Sequence, residues 1–126
     1  MKLGVIVAVL LAIVLVVGVR AAQEPRRWTA VDGRDWAGFA PREKQAYVVG
    51  FLAGAAAAGV KSSDTAVTRT SVEALSQGGG LQFPFGPMVY VTQLDEFYWW
   101  DNQVRTPVYL ALLSINQRLR QSQPTP

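Results

Sequence analysis

From Leu3 to Val19 the chain runs seventeen residues without a charge, and no other segment restricts its possible folds as strongly. As an α-helix this run would extend roughly 25 Å at about 1.5 Å per residue, close to the hydrocarbon thickness of a bilayer. An uncleaved anchor accounts for its length. A secretory signal usually has a shorter apolar stretch and a small-x-small cleavage site, for which Val19-Arg20-Ala21 would serve. A buried core helix is the third reading. The expectation is a lipid-embedded segment at 3–19, within an anchor or signal spanning 1–22.

Lys2 precedes the run, and Arg20, Arg26 and Arg27 follow it, so charge counting alone would leave the C-terminal side inside. A very short N-terminus before a signal-like run is nevertheless the usual export arrangement. We therefore expect a single pass in a bacterial inner membrane with the C-terminal domain in the periplasm, or a soluble periplasmic domain after cleavage. Trp28 lies beside two arginines just past the exit, where an indole suits the headgroup level. Arg20, Arg26, Arg27 and Trp28 are the expected membrane-interface residues.

About 104 of the 126 residues then remain, enough for one small domain. Setting aside Lys2 and Arg20 leaves ten basic against nine acidic residues. That near-neutral balance, with no basic stripe carrying interleaved aromatics, argues against nucleic acid as a partner. Cysteine and histidine are both absent, which removes disulfides, thiolate nucleophiles, typical zinc sites and the commonest general base. Gly78-Gly79-Gly80 lacks the spacing of a phosphate loop and reads as a flexible connector. No cofactor or metal is expected.

Residues 23–40 hold Pro25, an Asp32-Gly33 turn signal and no sustained periodicity, so an extended connector is expected there, with Trp36 and Phe39 folding back onto the domain. A first helix should start near Pro41, behind the poor cap Ala40, and run to about Ala58, with Gly59 as its stop. Tyr47, Gly50, Phe51, Gly54 and Ala58 recur three or four apart, which predicts a packing face where another helix approaches closely. Ala46 to Val60 is uncharged, so a second membrane pass is the alternative, although short Ala/Gly-rich runs are more often core helices.

A second helix is expected over 64–76, capped by Ser62 or Ser63 and turning Val67, Ser71, Ala74 and Leu75 inward. Residues 77–87 should form a loop pinned by Phe83 and Phe85, with a binding loop as its functional alternative. The spacing of Met88, Val91, Leu94 and Tyr98 predicts a third helix. Thr106 as cap and Pro107 in the first turn open a fourth, whose stripe Val108, Ala111, Leu112, Ile115, Leu119 is the clearest amphipathic signal in the chain. The tail 122–126 should be disordered. The predicted fold class is all-α: an N-terminal transmembrane or signal helix, then a bundle of about four helices over 41–121.

The pattern Glu43-Lys44-x-x-Tyr47-x-x-Gly50, followed by Leu94-Asp95-x-Phe97-Tyr98 and Pro107-Val108, resembles uncharacterised small exported bacterial helical proteins, loosely across residues 36–119. More distantly, the helix order is similar to that of the secreted immunity proteins that neutralise type VI secretion amidase effectors, which typically carry cysteines that this chain lacks. The resemblance implies an extracytoplasmic helical module that contacts another protein.

Three functions compete. The first is an accessory or scaffolding subunit of a membrane complex, because so small a domain gains stability from a partner. The second is a released, immunity-like inhibitor. The third is a carboxylate-based hydrolase using Asp95, Glu96 and Asp101, although Asp95 and Glu96 would diverge by about 100° on a helix. Glu43 is expected to serve the start of its helix. The candidate interaction surface is Tyr98, Trp99, Trp100, Asn102 and Arg105: a helix continuing past Leu94 turns both tryptophans off the buried stripe. The alternative is that the helix stops at Tyr98 and one indole tucks into the core.

Overall fold

Asp32 starts the first helix that the structure describes. In this computed structural model, which describes residues 29–124, its carboxylate accepts the Arg34 N–H at 2.9 Å, while Asp35 accepts the Asp32 N–H at 3.0 Å. This reciprocal pair satisfies donors that a helix start leaves open. It launches α1 (Gly33–Gly38), which buries Trp36 at 1% exposure. The extended connector expected over 23–40 is thus corrected from Val31 onward. Six residues are too short to display a periodicity, and the carboxylates at 32 and 35 were the available signal. Residues 1–28, including the apolar run, Arg20, Arg26, Arg27 and Trp28, lie outside the described residues, as do 125 and 126.

α2 (Pro41–Ser62) has proline in its first turn, and the Glu43 carboxylate accepts the Ala40 N–H at 2.7 Å, the helix-start role expected of it. The helix passes Gly59 instead of stopping there. It ends where Asp64 takes φ 55°, a left-handed conformation that aspartate tolerates better than most residues. Gly59 stays helical and serves as a crossing point, since a Cβ there would lie 3.3 Å from Leu75 of the next helix.

That helix, α3 (Arg69–Gln77), begins five residues later than expected, because Thr68 and Ser71 form the capping pair: Thr68 Oγ1 accepts the Ser71 N–H, and Ser71 Oγ accepts the Thr68 N–H. Ser62 and Ser63 instead donate their hydroxyls to the Gly59 carbonyl at the end of α2. Val67 is exposed and α3 contains no fully buried residue. Gly78-Gly79-Gly80 closes it: the Gly80 N–H donates to Leu75 O and the Gly79 N–H to Ser76 O, with Gly79 at φ 70°. This is the pairing by which a glycine in the left-handed region satisfies terminal carbonyls.

The loop over 78–86 is pinned by Phe83, which is buried, and by Phe85, which is partly so. α4 (Pro87–Phe97) then buries Tyr90, Val91 and Leu94. Met88 is 56% exposed rather than inward, because Tyr90, Val91 and Leu94 set a buried direction roughly 110° away from it. A single 3₁₀ turn, Asp101–Gln103, leads to α5 (Val108–Gln121), which buries Val108, Ala111, Leu112, Ile115 and Asn116 as the stripe predicted, with Leu119 packed at the margin. Pro107 is itself the cap residue, so Thr106 is not; the Val108 N–H donates to Val31 O at 2.8 Å.

α4 packs against both α2 and α5, and α3 packs mainly against α2. A polar core network ties the loop in: Tyr90 OH donates to Asn116 Oδ1 at 2.8 Å, and Asn116 Nδ2 donates to the Gln82 carbonyl at 2.8 Å. Among the described residues the fold is all-helical, with the four α-helices expected over 41–121 and α1 ahead of them. No helix among them is long and apolar enough to cross a membrane, which removes the second pass through α2.

Candidate functional site

The predicted packing face of α2 lies in the wrong direction for three of its five residues. Tyr47 packs into the core, with ring centroids 6.3 Å from Trp36 and 6.2 Å from Phe39. Gly50, Gly54 and Ala58 are exposed, and a Cβ at either glycine would meet nothing within 4 Å. The inward side is chosen by Val48, Phe51, Leu52 and Ala55, which have apolar surface to bury, whereas Gly50 sits about 200° round the helix from Val48.

The end of α4 brings distant residues together. Asp95 Oδ1 accepts the Trp36 Nε1–H at 2.8 Å and Lys44 Nζ at 2.7 Å, and that ammonium lies 5.2 Å from the Trp36 ring centroid. Asp95 thus fastens α1 and α2 to α4, and Lys44 sits between a carboxylate and an indole face, where both attractions act. Trp36 and Lys44 were not assigned a site in the sequence, because their partner is 59 and 51 residues away.

Tyr98 belongs to this framework and not to a contact surface, which corrects its expected role. Its hydroxyl donates to the Thr106 carbonyl at 2.7 Å. A Cβ on Gly33 would lie 2.5 Å from its ring, so only glycine permits this approach. Burial, with the Asp32 charge adding to it, pushes the Tyr98 phenol well above its ordinary value. Asp32 shifts in the opposite sense, because the Arg34 guanidinium donates to its carboxylate at 2.7 Å.

Directly after Tyr98 the chain turns outward. Trp99 is 81% and Trp100 65% exposed, and Asn102 and Arg105 are exposed nearby. Neither of these two indoles tucks into the core; Tyr98 packs under α1 instead. Two open clefts flank Trp99. One, about 380 Å³, is lined by Asp95, Glu96, Trp99 and Trp100. The other, about 410 Å³, lies against α1 and includes Arg34, Lys44 and Trp99. A larger concavity by α5, about 610 Å³, includes Asn116 and Arg120, but the Asn116 amide is engaged by Tyr90 and Gln82.

Asp95, Glu96 and Asp101 do not converge as a metal site: no group of three or more candidate ligands occurs among the described residues. Comparison with protein-family models, curated proteins and solved structures gave no match.

Proposed function

We propose that the chain is a non-enzymatic interaction module, held at a bacterial inner membrane by residues 3–19, that serves as an accessory subunit by docking another membrane or periplasmic protein on Trp99 and Trp100. The observation that carries this reading is the adjacent tryptophan pair, 81% and 65% exposed on a well-braced turn. Two large indoles left in water favour an interface, because a tryptophan covered by a partner loses little side-chain entropy for the area it buries. The framework beneath them keeps their backbone in place without using the indoles themselves.

The test is site-specific photo-cross-linking in the full chain expressed in bacterial cells. A photoreactive phenylalanine at position 99 should yield one discrete adduct in the carbonate-washed membrane fraction, and the same probe at Gln117 on α5 should not. Trp100→Ala should weaken that adduct with an unchanged melting temperature, since truncating an interface hot spot commonly costs about 2 kcal/mol or more of binding. Equal adducts from both positions, or a Trp100→Ala chain that cross-links as well as the parent, would refute the docking surface.

A further inference from the structure

The exposed indoles do not stand on neutral ground. The cleft that Trp99 and Trp100 line is walled on its other side by Asp95 and Glu96, and Asp101 follows Trp100 directly. Lys44 neutralises Asp95. Glu96 has only the Gln93 side-chain amide, at 3.1 Å, and neither Glu96 nor Asp101 has an ion pair among the described residues. Aromatic surface and unneutralised carboxylate therefore meet in one open cleft.

We infer that this cleft takes a lysine or arginine side chain of the docked protein, its cation held between the Glu96 carboxylate and the indoles of Trp99 and Trp100. The inference rests on the docking reading above and names the chemistry of what docks. On one face of Asp95, this protein already builds the same arrangement from its own residues: Lys44 lies 2.7 Å from the carboxylate and 5.2 Å from the Trp36 ring centroid. On the other face the carboxylate and the indoles recur, and no cation of the described chain occupies the position.

Charge also decides against the other occupants. An apolar partner would bury Glu96 unpaired, which is costly. An anionic lipid headgroup, the other common neighbour of exposed tryptophans, would be repelled within this cleft by Glu96, even with Arg105 exposed nearby. A cation is attracted by both the carboxylates and the ring faces, and partial desolvation on docking strengthens both attractions.

The experiment uses the full chain in nanodiscs of neutral phosphatidylcholine and follows the indole N–H resonances during titration with acetyl-Gly-Arg-Lys-Gly-amide. Saturable shifts of Trp99 and Trp100, with Trp36 unmoved, are expected. Glu96→Gln should bind at least fivefold more weakly, and a peptide with norleucine and citrulline in place of lysine and arginine should give no saturable shift. Equal responses to the charged and neutral peptides, or an unchanged affinity in Glu96→Gln, would overturn the cation assignment. The cross-link from position 99 separates the two readings. If it persists while the peptide gives no shift, the partner exists and its contact is not cationic. If both are absent, the docking reading falls as well.

Discussion

Trp36 and Trp99 are the same side chain with opposite fates, and the difference lies in what each indole N–H meets. Trp36 reaches Asp95 and is buried; Trp99 is turned into solvent. Trp36→Phe should therefore lower stability by about 1–2 kcal/mol through the lost hydrogen bond, visible as a fall of several degrees in melting temperature, while Trp99→Ala should leave the melting temperature within error. A marked destabilisation by Trp99→Ala would mean that the indole is part of the core. The titratable residues predict a stability dome. The Tyr98 pKa is raised by burial, so its contribution is complete below its unfolded value near 10 and is lost as pH rises above it. The Asp32 pKa is lowered by Arg34, so its contribution is present above 3.8 and is lost as pH falls through the lowered value. Urea midpoints measured across pH should fall at both ends. Tyr98→Phe should flatten the alkaline limb while costing about 1 kcal/mol at neutral pH, because the Thr106 carbonyl loses its donor. An alkaline limb as steep in Tyr98→Phe as in the parent would count against this assignment; burial also raises the Tyr47 and Tyr90 phenols, which account for the shallower limb that remains.

At the scale of the helix, α2 separates glycines that the fold uses from glycines that it does not. Gly50 and Gly54 lie mid-helix with open space where a Cβ would go. Replacing either with alanine should raise stability by about 0.5–1 kcal/mol, since alanine loses less backbone entropy and nothing obstructs its methyl group. Gly33→Ala should do the reverse, because its methyl group would meet the Tyr98 ring and the Val104 carbonyl. Chemical denaturation of the three variants checks both signs at once. α3 is the weak element: it buries no residue fully and packs mainly against α2, so its amides should exchange fastest among the α-helices and Thr68→Ala should accelerate them further. The α5 stripe was readable because a long one-sided helix repeats its signal over several turns. The inward side of α2 was not, because small residues at helical spacing mark a place where a neighbour could come close, without requiring that one does.

For the molecule as a whole, the all-helical fold of the described residues predicts a helical circular-dichroism spectrum, and the absence of cysteine and histidine predicts an unfolding curve indifferent to reductant and chelator. A large loss of stability on adding chelator would contradict this. The apolar run predicts that the full-length chain stays in the pellet after carbonate extraction. Recovery of a soluble species beginning at Ala22 would instead favour a released, immunity-like inhibitor.

The helical class, the last helix and the aromatic pinning of the glycine-rich loop were readable from residue spacing, because each depends on periodicity or turn chemistry within a few neighbours; Trp99 and Trp100 face outward as expected, but on the turn after a helix that ends at Phe97 and not on a helix continuing through them. Where α1 would form, which side of α2 would be buried, and that Tyr98 would leave the surface all depended on contacts across long stretches of chain. Val31 to Val108, Gly33 to Val104 and Trp36 to Asp95 are such contacts. Local pattern states what each segment can bury; only the competition among all segments for one small core settles which of those surfaces is covered, and so leaves the Trp99–Trp100 turn uncovered.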